Sequence, residues 1–377
     1  MMACAAMAAS MTFTACSSDD NGDEPTPPAE TEELKGTITG NKTLSANTEY
    51  TLTGSLVIEN GGTLTIPAGT TIKVHPGFAS YVLVARGGKI NARGTATQPI
   101  TFKADTEDAG SGYWGGIILN GRAPISGTTD SGNEGATEIN NDYKYGGSDA
   151  ADNSGVLAYV RILNSGARNT GDIEHNGLTL NAVGNGTTIE NIYIADGADD
   201  AIEFFGGSVN VSNLLAINCE DDMFDFTQGY NGTLKNCYGI WETGFLTDEA
   251  DPRGVEADGN LDGNGPDHKH QSDFRIENMT IENRSTTAEM QDVIKVRRGA
   301  KATIVNALVK GNGSTIDLVD MTDKKGAGSA DSHISLTNGL TNAITGSEVN
   351  GSAQITIAPG NAGTSSSLFG WTGYTLF

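Results

Sequence analysis

The sequence predicts an all-β fold in which short strands coil into one elongated, single-stranded parallel solenoid. From Leu34 onward, alternating runs of Val, Ile, Thr and Leu recur between clusters of Gly, Asn and Asp, without sustained helical periodicity. Gly is abundant, at 50 of 377 residues, and only 6% of residues are aromatic. A chain of this length could form two or three ordinary domains or one repeat domain. The internal repeats described below favour the repeat domain.

The first 35 residues carry export and anchoring signals. Residues 1–15 are mostly Ala, Met, Ser and Thr, and they are too few to span a bilayer, which takes about 20 apolar residues. Residues 13–16 (FTAC) look like a lipobox, so we expect a lipoprotein signal peptide over 1–15 and a lipid on Cys16. Residues 16–35 are acidic and contain Pro, which predicts a flexible tether.

The acidic tether resembles the signal that sends Bacteroidetes lipoproteins to the outer leaflet of the outer membrane. It therefore implies an outer-membrane protein, lipid-anchored and facing the extracellular side. The alternative is an ordinary linker on a lipoprotein that faces the periplasm. The formal net charge of −24 argues against a basic face for nucleic acid or an anionic bilayer, so we expect no nucleic-acid partner.

Six short segments share one pattern with a central Asn, and they occupy residues 189–192 (IENI), 211–214 (VSNL), 234–237 (LKNC), 276–279 (IENM), 304–307 (IVNA) and 336–339 (LTNG). Their Asn residues lie 22, 23, 42, 28 and 32 positions apart. A unit of about 22 residues with an Asn at a fixed turn predicts a parallel β-helix, whose coils stack about 4.8 Å apart. Stacked Asn side chains can bond each other and the backbone of the turn. The length after subtracting loops predicts roughly ten to twelve coils.

The coils can be assigned in order along the chain. Residues 62–74, 83–92 and 99–102 supply early coils of a domain that we place at 36–377. The 42-residue spacing predicts one coil plus an inserted loop at about 243–272. The aromatic stretch 369–374 (FGWTGY) is expected to cover an open end, because stacked coils expose unpaired edges.

Several motifs together resemble one family of Gram-negative secreted proteins and surface lipoproteins, and they lie at residues 114–125 (WGGIILNGRAPI), 176–180 (NGLTL), 199–207 (DDAIEFFGG) and 221–226 (DDMFDF). This family, functionally uncharacterised, has right-handed parallel β-helices with a pectate-lyase-like superfold. The resemblance implies the fold and the location, and it implies no reaction. The Asn-Thr-Asp, Gly-His-Gly and Arg-Ile-Lys patterns of polygalacturonases are missing.

Residues 199–204 align on residues 221–226 at a spacing of 22, or one coil. With strand alternation, the side chains predicted to point outward in one column are those of Glu203, Asp225, Glu256 and Lys295. Carboxylates one coil apart repel by about 0.9 kcal/mol in water and by about 3.5 kcal/mol at an effective dielectric constant of 20. A cation, a shared proton or Lys295 must relieve this repulsion.

Two interpretations of the column stay open. It could bind Ca²⁺ or a ligand, with Asp199 and Asp221 contributing from the neighbouring turn. It could instead be a solvated acidic stripe that prevents aggregation. Asp200 and Asp222 share the inward parity, and we expect them to cap turns by accepting backbone N–H groups.

The inserted loop offers a second candidate calcium site. Asp258, Asn260 and Asp262 follow the D-x-N-x-D-G start of an EF-hand loop. The twelfth position is Lys269, which excludes a true EF-hand, although Asp267 could substitute in a looser loop. A flexible loop without an ion is the alternative. His268 and His270 could form a transition-metal or general-base site, but we expect them to be polar surface.

These features predict a monomeric, non-catalytic glycan-binding or adhesion module that contacts a polysaccharide or a cell-surface glycan. Tyr230 and Tyr238 are available for sugar stacking, whereas inward packing is expected for Trp241. A disulfide between Cys219 and Cys237 is an option that the sequence does not decide.

The alternative function is a Ca²⁺-assisted polysaccharide lyase or glycoside hydrolase that uses the same face. Its candidate catalytic residues are Lys295, Asp225 and Glu203, with Arg297 and Arg298 neutralising a uronate carboxylate.

Overall fold

A computed structural model of the chain describes residues 30–46, 48–127, 133–169, 173–260, 265–266, 268 and 270–375. In this part of the chain the strands are β1 (Glu30–Ile38), β2 (Asn41–Thr43), β3 (Thr48–Ile58), β4 (Thr63–Ile66), β5 (Thr71–Val74), β6 (Val82–Val84), β7 (Lys89–Arg93), β8 (Ile100–Ala104), β9 (Ile117–Asn120), β10 (Glu134–Ala136), β11 (Lys144–Gly146), β12 (Gly155–Leu163), β13 (Leu178–Asn181), β14 (Thr188–Ala195), β15 (Ile202–Phe205), β16 (Val211–Ile217), β17 (Phe224–Thr227), β18 (Thr233–Trp241), β19 (Arg253–Ala257), β20 (Asp273–Asn283), β21 (Glu289–Lys295), β22 (Lys301–Gly311), β23 (Ser314–Asp320), β24 (His333–Leu340), β25 (Val349–Asn350) and β26 (Gln354–Ile357). A 3-10 helix, Ser366–Thr372, follows them. No helix in the described residues is long and apolar enough to cross a membrane.

The strands form a right-handed parallel β-helix with three faces, as the sequence predicts. The first face contains β2, β4, β7, the first halves of the even-numbered strands from β12 to β24, and β26. The second face contains the first halves of β1 and β3, then β5, β8 and the second halves of those even-numbered strands. The third face runs through the second halves of β1 and β3, then β6, β9, β13, β15, β17, β19, β21, β23 and β25. These eleven levels agree with the predicted ten to twelve coils.

A ladder of Asn side chains forms the corner between the first two faces, which confirms the interpretation of the repeat. Its members, all with φ between 54° and 58°, are Asn191, Asn213, Asn236, Asn278 and Asn306. From Asn213 onward, each Nδ2 donates to the Oδ1 of the Asn in the preceding coil over 2.7–3.0 Å. Asn tolerates the left-handed region better than most residues, so one residue type supplies both the bend and the polar contacts.

The sixth predicted member, Asn338, does not join the ladder. Ile304 pairs with Ile334 and Ala307 pairs with Leu336, so β24 has one residue fewer at this corner. Asn338 instead accepts the backbone N–H of Leu340 at 3.1 Å. Asn306 therefore ends the ladder.

Aromatic side chains fill the interior along the middle coils. The rings of Phe204, Phe226 and Phe274 stack with centroids 4.9 and 4.2 Å apart. Tyr230 packs against the first two rings and is fully buried, as is Trp241. The inward packing expected of Trp241 is confirmed.

The prediction that Tyr230 and Tyr238 are available for sugar stacking is wrong. Tyr230 points into the core because its hydroxyl donates to the Val209 carbonyl at 2.7 Å. Tyr238 lies on the outside of the second face, but it is 2% exposed because Phe369 packs edge-on against it. Neither ring offers a face to a ligand.

The aromatic segment near the C-terminus covers a side of the solenoid and not its open end. The 3-10 helix contacts β16, and Arg161 of β12 donates to the Trp371 carbonyl at 2.8 Å. Phe369 buries the outward apolar residues of the second face, Leu215 and Ile217 among them. The predicted end cap is therefore a side strap.

Two domain boundaries also differ from the prediction. Strand β1 begins at Glu30, inside the predicted tether of 16–35, because Leu34 is 1% exposed and pairs with Leu52. The predicted insertion of 243–272 contains β19, so it is two insertions that flank a strand of the third face. The signal peptide of 1–15 and Cys16 lie outside the described residues.

Cys219 and Cys237 are both free thiols in the buried interior. The optional disulfide does not form, because Cys237 pairs with Leu214 in the coil above and Cys219 lies beyond the end of that strand.

Candidate functional site

The acidic column predicted from the sequence forms on the third face. Glu203 of β15 pairs with Asp225 of β17, and Asp225 pairs with Glu256 of β19. Val255 pairs with Ile294, which places Lys295 next to Glu256 in the following coil. We call Glu203, Asp225 and Glu256 the acidic column.

The column points away from the apolar core, yet it is buried. Asp225 and Glu256 are each 8% exposed and Lys295 is 9% exposed, whereas Glu203 is half-buried. The interpretation as a solvated stripe is wrong, because little of these carboxylates contacts water.

Two arginines neutralise the lower end of the column. Arg253 Nη1 lies 2.6 Å from Glu256 Oε1, and Arg297 pairs with the other oxygen. Burial raises the pKa of Glu256, and the two guanidinium groups oppose that shift. Arg253 also binds Asp292 through Nε at 3.1 Å, so it links two coils.

Lys295 does not relieve the repulsion within the column. Its ammonium pairs with Asp320 of the next coil, since Lys295 and Asp320 are register partners of β21 and β23. Lys295 is therefore already paired with Asp320 and almost fully buried.

The upper end of the column has no arginine partner among the described ion pairs. One carboxylate oxygen each of Asp200, Glu203 and Asp225 lie within 4.8 Å of one another. Asp225 Oδ1 is buried and has no hydrogen-bond partner in the described structure. Glu203 Oε2 accepts one bond, from Asn176 Nδ2 at 2.6 Å. We call these three carboxylates the upper triad.

A second triad overlaps the first through Asp225. It joins Asp225 to Asp222 and Glu256 within the same 4.8 Å limit. Asp222 is 3% exposed, and its Oδ1 also has no hydrogen-bond partner in the described structure. Buried polar oxygens without a partner are uncommon, and each calls for a proton or a cation.

The titration behaviour reflects this crowding. Burial raises the pKa of Glu203 well above its usual range, and the Asp225 carboxylate adds to the shift. Burial likewise raises the pKa of Asp225, with Glu256 adding to it. Both carboxyl groups therefore keep their protons to a higher pH than an exposed carboxyl group does.

The turns before β15 and β17 contribute four carboxylates to this region, of which Asp199 and Asp221 are additional to the two triads. Asp200 accepts the backbone N–H of Asp222 at 2.9 Å, which confirms the capping role predicted for Asp200. Asp199, Asp200 and Asp221 form a third triad. Burial raises the pKa of Asp221 to about 7, with Glu249 and Glu256 adding to the effect. Asp200 therefore belongs to the cluster as well as to the turn.

The described ligands of the predicted loop calcium site, Asp258 and Asn260, contact other protein groups. The Asp258 carboxylate pairs with Arg297 Nε at 3.0 Å and with Arg298 Nη1 at 3.2 Å. Asn260 Nδ2 donates to the Gly265 carbonyl at 3.1 Å. Asp262 and Asp267, the other two predicted ligands, lie outside the described residues. The prediction of Asp258 as a loop ligand is wrong, because two arginines hold its carboxylate.

The histidines of the same loop do not build a metal centre in the described part of the chain. His268 Nδ1 lies 3.1 Å from Ser126 Oγ, and His270 is exposed. The groups of side chains placed to hold an ion consist only of carboxylates. Such all-oxygen sets suit Ca²⁺ or Mg²⁺ better than zinc or copper.

Sequence reasoning missed one further acidic group. Asp292, Asp317 and Asp320 bring carboxylate oxygens within 4.8 Å of one another, near Arg253 and Lys295. Alternation along β21 and β23 would have placed Asp292 and Asp317 in one column, since they are register partners.

The comparison with known families agrees with this architecture. A family model described as a pectate-lyase like beta helix domain matches residues 36–372. The chain belongs to this family. No curated protein matches the chain.

Two solved structures resemble this pectate-lyase-like protein distantly. One is the catalytic domain of a GH87 alpha-1,3-glucanase variant in complex with tetrasaccharides, with 13% identity over 89% of this chain and 69% of that one, and a TM-score of 0.33. The other is the catalytic domain of GH87 alpha-1,3-glucanase in complex with nigerose, with 14% identity over 87% of this chain and 63% of that one, and a TM-score of 0.32. At these values the two likenesses carry no argument about activity.

Proposed function

We propose that this β-helix is a non-catalytic glycan-binding module that holds a divalent cation, Ca²⁺ by its ligand chemistry, in the upper triad. The observation that supports this proposal is the approach of two buried carboxylates, Asp200 and Asp225, to the half-buried Glu203, with Asp225 Oδ1 unpartnered in the described structure. Two carboxylates 4.8 Å apart repel by about 3.5 kcal/mol at an effective dielectric constant of 20. A divalent cation turns that repulsion into attraction.

The ligand set differs from the set predicted by sequence in one respect. Glu256 already has Arg253 and Arg297 as partners, so it has little need of a cation. Asp200 takes its place, since it lies within reach of Glu203 and Asp225. Asp199 and Asp221 adjoin the site through the third triad.

The cation also accounts for glycan binding by an acidic protein. With a net charge of −24, a direct approach of an anionic polymer is unfavourable. A Ca²⁺ ion takes six to eight oxygen ligands, more than three monodentate carboxylates provide. The remaining positions would accept water or the hydroxyl groups of a sugar.

The contacts of the candidate catalytic groups favour binding over catalysis. Lys295 pairs with Asp320, and Arg297 pairs with Glu256 and Asp258. Asp225 is 8% exposed and is a ligand of the proposed cation, so its carboxylate is not free for acid–base chemistry. A Ca²⁺-assisted lyase or hydrolase needs such groups free to touch the scissile bond.

We further propose that the protein is a lipoprotein, acylated at Cys16, displayed on the outer face of the outer membrane. The support is the sequence of residues 13–16 and the acidic segment after it, which leads into β1 at Glu30. Palmitate labelling of cells should mark the wild-type protein and not Cys16→Ser. External protease should remove the protein from intact cells, and full protection would contradict surface display.

Calcium titration calorimetry and a glycan panel test the function. The wild-type protein should release or absorb heat with Ca²⁺, and Asp225→Asn should not. Asp331→Asn, at an exposed acid outside the cluster, is the matched control and should behave as wild type. Neutral and uronate-containing glycans should bind without new reducing ends or unsaturated products, whereas turnover of any of them would establish an enzyme.

A further inference from the structure

A cavity of about 350 Å³ lies at the upper end of the acidic column, between the third face and the hairpin formed by β10 and β11. Its floor includes Ile118 and Thr179, the register neighbours that precede Glu203 in the same column. The volume falls within the roughly 300–1,000 Å³ typical of ligand sites. We call it the hairpin cavity.

The hairpin is fastened over the cavity by polar contacts at several points. Asn120 Nδ2 donates to Thr137 Oγ1 at 2.6 Å. The Tyr145 hydroxyl donates to Gln228 Oε1 at 2.9 Å, and Arg86 pairs with Glu134 at 2.8 Å. These contacts attach the hairpin to the solenoid over the cavity.

The lining is apolar on one part and rich in amide and hydroxyl groups on another. Ile118, Ile139 and Phe205 supply apolar surface, and the Phe205 ring lies 6.5 Å from that of Tyr145. The polar part comprises Thr137, Asn176, Thr179, Asn181 and Gln228. A sugar ring has the same division, with C–H groups on its faces and hydroxyl groups around its rim.

The side chain of Asn176, in the lining, has an acceptor without a donor. Asn176 is 5% exposed, and its Nδ2 donates to Glu203 Oε2 at 2.6 Å. Its Oδ1 is therefore the acceptor, and no donor reaches it in the described structure. A ligand hydroxyl group would satisfy it.

The charges at the cavity select against an anion. Glu138 and Glu174 line it, and among the described residues its lining holds no lysine or arginine. Arg168 pairs with Glu174 from outside the lining, at 3.4 Å. Glu203 adjoins the cavity through Asn176. A uronate carboxylate here would lie beside acidic side chains, and no cationic side chain of the described lining would pair with it.

We propose that the hairpin cavity binds an uncharged sugar residue of the glycan, so that the protein prefers neutral polysaccharides to uronate polymers. This proposal rests on the glycan-binding function proposed above and specifies its ligand class. The apolar wall contacts a face of the ring, and Asn176 Oδ1 accepts one of its hydroxyl groups.

The test is calorimetric binding of neutral oligosaccharides of glucose, mannose, galactose and N-acetylglucosamine, beside oligogalacturonate, to the purified protein in calcium-containing buffer. Ala136→Phe places a ring into the cavity and should weaken binding of the neutral ligand by roughly tenfold or more. Ala343→Phe, the same change at an exposed position outside the cavity, is the matched control and should not weaken it. Phe205→Leu shortens the apolar wall and should weaken binding in the same direction, with calcium heats and unfolding midpoints reporting that each variant is folded.

The cavity proposal would be overturned if the protein bound only oligogalacturonate, or if the folded Ala136→Phe variant bound the neutral ligand as tightly as the wild type. Either result would leave the glycan-binding function standing. Absence of binding to every oligosaccharide would overturn both.

Discussion

Replacing Asp225 by Asn removes the central carboxylate of the acidic column while keeping the size of the side chain. One coil away on either side lie Glu203 and Glu256, and only Glu256 has arginine partners in the described ion pairs. The Glu203–Asp225 repulsion at about 4.8 Å is about 0.9 kcal/mol in water and about 3.5 kcal/mol at an effective dielectric constant of 20. In a calcium chelator at pH 8, Asp225→Asn should therefore raise the free energy of unfolding by about 1 to 3 kcal/mol.

The same substitution should remove most of the stabilisation that Ca²⁺ gives to the folded protein. A ligand at one hundred times its Kd stabilises the folded protein by about 2.7 kcal/mol. Urea denaturation with and without Ca²⁺ should show a gain of this order for the wild type and for Asp331→Asn, and almost none for Asp225→Asn. Equal calcium responses in all three proteins, or a variant less stable than the wild type in chelator, would refute the electrostatic reasoning.

Three further predictions concern pH, the ladder and Lys295. Burial raises the pKa of Asp221 to about 7, so the folded state retains a proton that the unfolded state releases near pH 4. Stability in chelator should therefore fall as the pH rises from about 4 to about 7, and a flat pH profile by urea denaturation would contradict this. Asn236→Ala removes two ladder hydrogen bonds and leaves an alanine in the left-handed region at φ 57°, so it should lower the free energy of unfolding by about 2 to 4 kcal/mol in thermal or urea unfolding. Asn236→Gly should lower it by about 1 kcal/mol less, because glycine adopts this φ without strain. Equal losses for the two variants would argue against backbone strain. Lys295→Ala removes the ion-pair partner of Asp320 and should lower the free energy of unfolding by about 3 kcal/mol. Glycan affinity should stay unchanged, and lost affinity in the folded variant would restore Lys295 as a ligand-binding residue.

Much of the fold was accessible from the sequence because the coil length repeats. Asn213 follows Asn191 by one coil of 22 residues, and the same spacing separates Glu203 from Asp225. In a parallel stack without register shifts, equal spacing and alternation are enough to assign a column and its direction. The ladder and the acidic column were predicted for this reason.

The partners of the column were less accessible, because they depend on insertions and side-chain conformations. Arg253 lies inside a segment that the spacing marks only as inserted, yet it opens β19 and pairs with Glu256. Lys295 adjoins Glu256 on one side and Asp320 on the other, and only the side-chain geometry shows which it pairs with.

Burial outside the core could not be predicted from alternation. Tyr238 points outward, as the parity of β18 requires, but the returning C-terminal segment covers it with Phe369. Leu34 shows the converse, because its side chain is buried and its strand begins within the predicted tether. Both outcomes depend on contacts between segments far apart in the chain.

The central claim is that consecutive coils bring Asp200, Glu203 and Asp225 together as the ligands of one cation. Long-wavelength anomalous diffraction from crystals grown with CaCl₂ tests it most directly. The account predicts an anomalous peak about 2.3–2.6 Å from oxygens of all three side chains. Well-ordered carboxylates with no peak between them, or side chains on different walls of the solenoid, would contradict it.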